Sequence, residues 1–321
     1  MANTNSQFQK FNENLKIPSS KISKMNDARE SARSTIKEWF KKHKPDYPIS
    51  FWIQGSHKNH LNIRTENDDC DQDDGIYIDR DPDNSVDGTT LQAWIVEALT
   101  GSTAADVEHR SRCVRNFYSP YNLGSFHIDY PSYYKTDEMP NPKLTVKNKK
   151  NEESDPKEFT NWLENETDDR GQLRRIIRFL KGWCSFKSSE HDMLNGLTLT
   201  VLVCKHYEPV DDRDDEAVYL TLEKIQAELN DSWECLMPSV PYDDLLEGRN
   251  EIFKFNFMNS LSDLIDDGKK ALDEASQYEA SKLWQKHMGS RYPLAPKPLQ
   301  TGNRNALGAL VRNNKPYFNG F

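Results

Sequence analysis

The 321-residue sequence lacks any run of about 20 consecutive apolar residues, the length that a membrane-spanning helix needs. An apolar core of the kind found in secretory signals is also missing from the N-terminus, MANTNSQFQKFNENLK. These absences predict a cytoplasmic protein with no membrane partner.

Cysteine is scarce and is not paired in the sequence. The five cysteines are odd in number, widely spaced and form no C-x-x-C motif. Such usage is typical of free thiols in a reducing compartment, and it excludes a disulfide framework and a zinc knuckle.

An excess of positive charge is also lacking, because 42 Lys and Arg residues face 51 Asp and Glu residues, a formal net charge of -9. Proteins that hold long nucleic acids by their phosphates usually carry a basic footprint. We therefore expect no long nucleic acid as partner, and small nucleotides in a local pocket if the protein binds nucleotides at all.

The chain divides into two parts by its apolar spacing. Residues 1–24 are polar and are expected to be frayed, and the stretch up to residue 134 mixes helical patterns with short strand-like runs, as in an α+β domain. Residues 135–170 are polar and predict a surface excursion. Beyond them the spacing is helical almost throughout, including the segment DLLEGRNEIF. The predicted domains are an α+β core, 1–169, and an α-helical domain, 170–321.

Two aspartates, Asp71 and Asp73, lie in the segment CDQDDGIYIDR, which reads as a strand. Side chains alternate along a strand, so both carboxylates leave the same face. Two acids on one face repel each other unless a cation lies between them, and Mg²⁺ typically binds one or two carboxylates plus substrate phosphates. An EF-hand calcium loop does not fit, because no register places both glycine and acidic ligands where that loop requires them.

The residues around this pair favour a nucleotide site over a solvated acidic loop. Gln54, Gly55 and Ser56 end an apolar strand upstream, and glycine there allows backbone N–H groups to approach phosphate oxygens. A third acid, Asp129, is embedded in the apolar strand FHIDY. A charge in such a strand is costly unless it is paired or bound to a metal.

A basic stripe lies on the helix predicted for Leu173 to Cys184. Arg174, Arg178 and Lys181 recur at helical spacing, apart from the apolar stripe of the same helix. From the pattern alone, a solvated surface face is the favoured interpretation. A bound triphosphate, however, needs positive charge beyond its metals, and lysine commonly supplies it.

The segments FWIQGS, DQDDGIYI and FHIDYP together resemble the cGAS/DncV-like nucleotidyltransferases of bacterial anti-phage (CBASS) signalling, with the DncV-type subgroup the most similar. The resemblance extends through LRRIIRFLKGW and LNGLTLTVLVCKHY. It implies a polymerase-β-like nucleotidyltransferase core followed by a helical domain that closes the active-site cleft.

The resemblance also implies roles for individual residues. Asp71, Asp73 and Asp129 would bind two Mg²⁺ ions, with Mn²⁺ as a substitute, and Asp129 would also activate the attacking hydroxyl. A larger set would bind the nucleotide: Gln54, Gly55, Ser56, Arg178, Lys181 and Asn195. Asn195 stands where the family expects a serine. Gln72 replaces an apolar residue of the motif and should face away from the site.

His57 and His60 are separated by helical spacing just after the Gly-Ser turn. A zinc site would need further ligands at suitable spacing, and the neighbouring sequence supplies none. We interpret both histidines as exposed or substrate-adjacent side chains.

The functional hypothesis is synthesis of a cyclic di- or trinucleotide from NTPs, with ATP and GTP as the expected substrates and pyrophosphate as the leaving product. By the resemblance, a separate effector protein would respond to the product. Two alternatives stay open at this point. One is an untemplated nucleotidyltransferase acting on RNA or protein, and the other is a catalytically silent nucleotide sensor.

Overall fold

The computed structural model describes residues 1–103, 106–119, 124–168 and 170–298. The strands are β1 (Ile49–Gln54), β2 (Asp71–Ile78), β3 (Glu108–His109), β4 (Val114–Tyr118), β5 (Phe126–Tyr130), β6 (Ser132–Tyr134), β7 (Lys143–Leu144) and β8 (Glu152–Glu153). The helices are α1 (Asn5–Leu15), α2 (Ser19–His43), α3 (Gly55–Lys58), α4 (Gly88–Leu99), α5 (Pro156–Glu166), α6 (Gln172–Lys187), α7 (Gly196–His206), α8 (Asp214–Asp231), α9 (Glu251–Asp273) and α10 (Gln277–Met288). A 3-10 turn spans Pro82–Asn84.

The strands form one mixed sheet in the order β3-β4-β5-β2-β6-β7-β8, with β1 also pairing to β2. Strand β1 is antiparallel to β2, whereas β5 and β6 run parallel to it, β5 beside its first half and β6 beside its second. In this register Asp73 lies opposite Asp129. Paired residues of neighbouring strands project to the same face, so the sheet brings these two acids together.

One face of β2 lies in an apolar core shared with α2 and α4. Ile76 and Ile78 are fully buried there, together with Ile36 and Phe40 of α2 and Ile95 of α4. Because side chains alternate, Asp71 and Asp73 are turned to the opposite face. The burial of the isoleucines therefore sets which way the two aspartates point.

A second core lies among the five helices from α6 through α10 and includes residues of the N-terminal helix α1. Phe8 and Phe11 of α1 are buried against Phe179, Trp284 and Tyr292, with ring centroids about 5 to 6 Å apart. The expectation that residues 1–24 are frayed is wrong. Apolar residues at helical spacing in this polar segment bury one face of α1 on α6 and α8.

Two further expectations need correction. The polar stretch 135–170 contains β7, β8 and helix α5, which is capped by the Asp155 carboxylate. The segment DLLEGRNEIF is not one helix, because Gly248 has a φ of 76° and Asn250 caps α9 just before Glu251. The α+β class with a helical C-terminal part is confirmed, while the boundary at residues 169 and 170 stays a prediction.

No helix in the described ranges combines the length and apolar character that crossing a membrane would require. The five cysteines are all free thiols.

Candidate active site

The Gly-Ser turn lies directly over the second aspartate of β2. Gly55 has a φ of 66°, which favours glycine, and a methyl group built on it would overlap the Asp73 carboxylate. The pairing of Gln54 with Asp73 in the β1-β2 register causes this approach. Helix α3 begins at Gly55, so Ser56 stands at the point where strand becomes helix.

Asp71 and Asp73 line a cavity of about 550 Å³ between the sheet and the helical half. Burial raises the pKa of Asp73 well above its usual range, and the charges of Asp71 and Asp129 raise it further. Arg115 and Lys181 act in the opposite direction without offsetting this rise. The site therefore concentrates negative charge that a bound cation would relieve.

The residues present fit a divalent cation of the Mg²⁺ type. Two carboxylates on one wall of a cavity large enough for a triphosphate are the protein share that Mg²⁺ usually takes. Within the described part of the chain, however, no three His, Cys, Asp or Glu side chains converge to hold one ion. Asp71 and Asp73 line the cavity as a pair, and Asp129, the third expected ligand, lies opposite Asp73 on the neighbouring strand.

Asp129 is engaged by an arginine that sequence reasoning did not identify. Its two carboxylate oxygens accept hydrogen bonds from Arg115 Nε at 2.6 Å and Nη2 at 2.7 Å. Arg115 is its partner in the antiparallel β4-β5 register. The charge of Asp129 in this strand is thus stabilised by its pairing with Arg115. The strand-like run CVRNFY was the available signal.

Lys181 lines the same cavity from helix α6. Its ammonium donates to the Leu61 carbonyl at 2.8 Å, and its Cε would lie 2.8 Å from a methyl group built on Gly196. Burial lowers the pKa of Lys181 to about 8, although Asp71 and Asp73 favour its charged form. A buried lysine facing two carboxylates across a cavity is suited to bind phosphate oxygens.

Asn195 and Gln54 also line the cavity, and both make structural hydrogen bonds. The Asn195 side-chain oxygen caps α7 by accepting from the amides of Leu197 and Thr198 at 3.0 and 2.9 Å, which leaves its amide nitrogen as donor. Gln54 is buried and donates from Nε2 to the Tyr133 hydroxyl at 2.9 Å. Both side chains are therefore held in fixed orientations.

Arg178 is placed differently from its predicted nucleotide-binding position. It lines neither cavity at the site, and its guanidinium donates to Asn12 Oδ1 at 2.9 Å and to the His60 carbonyl at 2.8 Å. Helical spacing put Arg178 on the stripe of Lys181, but α1 and the loop after α3 cover it. Its role here is to connect these two segments.

The histidines after the turn differ from each other. His57 is half-buried, with ring nitrogens 3.1 Å from Asn62 Nδ2 and 3.2 Å from Gln72 Nε2. His60 is exposed, as expected. Gln72 itself is fully buried on the face of β2 opposite Asp71 and Asp73, as the alternation predicted.

A second cavity of about 470 Å³ adjoins the first. The two share Ser56, Asp71, Lys181 and Gly196, so the turn, the first aspartate and the lysine lie at their junction. The arrangement offers two neighbouring compartments that meet at one charged centre.

Residues 49–133 match the family model of the cyclic GMP-AMP synthase DncV-like nucleotidyltransferase domain. The chain contains a DncV-like nucleotidyltransferase domain. The Gly-Ser turn and all three aspartates lie within the matched range, and the resemblance seen in the sequence is confirmed.

A curated protein is also similar to this chain. A cyclic GMP-AMP synthase from Escherichia albertii is 29% identical over 216 residues, which make up 64% of this chain and 47% of the relative. The chain thus spans about half the length of the curated protein that it matches.

Solved structures extend the likeness to the helical half. Vibrio cholerae DncV cyclic AMP-GMP synthase superposes with a TM-score of 0.76 at 17% identity, covering 91% of this chain and 97% of that one. The same protein in complex with the linear intermediate 5' pppA(3',5')pG gives a TM-score of 0.64 at 22% identity, covering 77% and 70%. At such identities the likeness shows the fold of a nucleotidyltransferase core with a helical C-terminal part.

Proposed function

We propose that this chain joins nucleoside triphosphates into a cyclic di- or trinucleotide and releases pyrophosphate at each step. One arrangement carries the proposal: the Gly-Ser turn lies against Asp73 in a cavity that Asp71 and Lys181 also line. ATP and GTP are the favoured substrates, because the curated relative is named a cyclic GMP-AMP synthase.

The donor triphosphate is bound by Ser56 and Lys181. The Lys181 ammonium spends one N–H on the Leu61 carbonyl and has two left for phosphate oxygens. The amide nitrogen of Asn195 adds a neutral donor at the start of α7. A pair of divalent cations held by Asp71 and Asp73, with Asp129 as third ligand, would supply the positive charge that the reacting phosphate needs.

The reaction forms one bond and breaks one. A ribose hydroxyl of the acceptor attacks the α-phosphorus of the donor, the new O–P bond forms, and the bond from that phosphorus to pyrophosphate breaks. The hydroxyl proton passes to a carboxylate, for which Asp129 is our candidate. To accept the proton or a cation, one Asp129 oxygen has to leave Arg115, which otherwise fixes the direction of the carboxylate.

Two compartments suit a reaction between two nucleotides. The cavities of about 550 and 470 Å³ meet at Ser56, Asp71 and Lys181, where donor and acceptor would react. A second cycle on the linear intermediate closes the ring. The product then signals to a separate effector protein in anti-phage defence, with the enzyme in the cytoplasm.

Product analysis tests this function. The protein is incubated with ATP, GTP, CTP and UTP singly and in pairs, with Mg²⁺ or Mn²⁺, and products are treated with phosphatase and identified by mass spectrometry. We expect a phosphatase-resistant cyclic product. Tailing of added RNA or labelling of protein supports the untemplated transferase instead. Nucleotide binding without pyrophosphate release with either metal supports the silent sensor and contradicts synthesis.

A further inference from the structure

Residues 60–69 form a loop, here named the connecting loop, that leads from the Gly-Ser helix α3 to the aspartate strand β2. Its backbone carbonyls are held by cationic side chains from three other parts of the chain. The donors are Arg178 to His60 and Lys181 to Leu61, both at 2.8 Å, Arg291 to Arg64 and, at 2.6 Å, to Thr65, and Lys21 to Asp68 at 2.7 Å. Hydrogen bonds from charged donors are stronger than neutral ones.

Alternate side chains of the connecting loop face the helical half. Leu61 and Ile63 are buried in the helical core. Ile63, Thr65, Asn67 and Asp69 line the second cavity. The loop is therefore one wall of that cavity, and the cations on its carbonyls determine where the wall stands.

Arg291 holds the middle of this wall from outside. It follows α10, lines neither cavity, and its Nε lies 3.7 Å from Glu66 Oε1. Its own carbonyl accepts from Asn14 Nδ2 of α1 at 2.7 Å, so its backbone is anchored as well. The guanidinium is a rigid planar fork that donates to two successive carbonyls at once, whereas a lysine ammonium on its flexible stem is less preorganised for this geometry.

We propose that Arg291 is a positioning residue that keeps the connecting loop in the conformation in which the second cavity binds a nucleoside triphosphate. It acts through the carbonyls of Arg64 and Thr65 and does not touch the substrate. The proposal rests on the proposed function, since it takes the second cavity as a nucleotide compartment.

The test compares KM with kcat in Arg291→Ala and Arg291→Lys. Loss of the fork lets the wall move outward and weakens nucleotide binding before and during the reaction alike, so KM rises while kcat per folded molecule is retained. We expect KM for the varied NTP to rise about tenfold in Arg291→Ala, the effect of roughly one charge-assisted hydrogen bond, and by less in Arg291→Lys. A purely structural role would lower the amount of active enzyme and leave KM unchanged.

Arg80→Ala is the matched control. The Arg80 guanidinium also binds two carbonyls, those of Asp46 at 2.9 Å and Asn84 at 3.0 Å, but it lines neither cavity. Its loss should leave KM unchanged. A wild-type KM in both Arg291 variants overturns the inference, and so does an equal rise of KM in Arg80→Ala. If Arg291→Ala does not fold, the KM of Arg291→Lys decides.

Binding of a non-hydrolysable NTP with Mg²⁺, measured by calorimetry, separates this inference from the proposed function. A wild-type protein that binds the analogue without turning over NTPs contradicts the proposed synthesis. The comparison of Kd between wild type and Arg291→Lys still decides the inference, because weaker binding in the variant supports it and equal binding refutes it.

Discussion

The two faces of strand β2 carry acids with opposite fates. On the inner face, Asp74 has a fully buried side chain and is bound by Arg33 through hydrogen bonds of 2.7 and 2.6 Å. On the cavity face, burial raises the pKa of Asp73, and the charges of Asp71 and Asp129 beside it raise that pKa further. The charge of Asp74 is thus neutralised by Arg33 on the inner face. Asp73, one residue earlier, lies among other negative charges on the cavity face.

This difference separates structure from chemistry. A buried carboxylate with an arginine fork stabilises the packing of α2 on the sheet as long as both partners are present. Carboxylates that repel each other at the wall of a cavity lower the stability of the fold. Such an arrangement is expected at a site where a bound cation and a phosphate offset the repulsion. We expect mutations on the two faces to affect different measurements.

The largest stability effect is expected for Asp74→Ala on the inner face. Removal of this carboxylate leaves Arg33 unpaired, and the free energy of unfolding should fall by about 3 kcal/mol. Urea denaturation measures it. Turnover per folded molecule should stay near that of the wild type. The double variant Arg33→Met with Asp74→Leu is the control, and it should recover most of the stability. An unchanged unfolding midpoint in Asp74→Ala would contradict this role.

Gly55→Ala should affect the reaction more than the stability, because it changes the cavity face. The added methyl group displaces the Asp73 carboxylate, and a misplacement of about 1 Å at a reacting centre can cost about 100-fold in rate. Gly248→Ala is matched, because Gly248 also has a positive φ of 76° but a methyl group there enters open space. Both variants should lose roughly 1–2 kcal/mol of stability. Only Gly55→Ala should lose most of its pyrophosphate release, and equal rates in the two variants would refute the contact as functional.

The pH dependence of the reaction gives a smaller effect. Burial lowers the pKa of Lys181 to about 8, so its side chain is a charged ammonium below that pH and a neutral amine above it. The value of kcat/KM should therefore fall as the pH rises through about 8, because the free enzyme then loses its phosphate-binding charge. Folding disfavours the protonated form of Lys181. Burying this charge therefore lowers the free energy of unfolding below pH 8, and this destabilisation fades as the pH rises toward 10.5.

Lys181→Arg serves as the control for this profile, since arginine stays protonated. The alkaline fall of kcat/KM should move to higher pH or vanish in this variant, whatever its absolute rate. A fall at the same pH in both proteins would show that another group titrates.

Alternation and spacing predicted much of the site. The strand pattern of DQDDGIYI placed Asp71 and Asp73 on one face and Gln72 on the other, because side chains alternate whatever the rest of the fold does. The resemblance placed Gly55 and Lys181 at the same cavity. Local sequence was therefore sufficient to predict a side chain's direction where the geometry of a strand fixes that direction.

Long-range pairing could not be read from the sequence. Arg115 meets Asp129 only because β4 and β5 pair in one particular register, and a shift by one residue would separate them. Arg178 shares a helical stripe with Lys181, yet α1 covers it, and that helix lies more than 160 positions away in the chain. The expectation of frayed N-terminal residues failed for the same reason, since the aromatic partners of Phe8 and Phe11 come from α6 and from the residues around α10.

The role of Asp73 in the reaction is tested by pyrophosphate release from wild type and Asp73→Asn, measured at equal concentrations of folded protein with NTPs and Mg²⁺. We expect release by the wild type and a loss of at least about 1000-fold in the variant, comparable to removal of a main electrostatic contribution at other active sites. The melting temperature of the variant should not fall, because asparagine removes a repelled charge. Wild-type turnover in Asp73→Asn, or a variant that is inactive only because it unfolds, would contradict a role of Asp73 in the reaction.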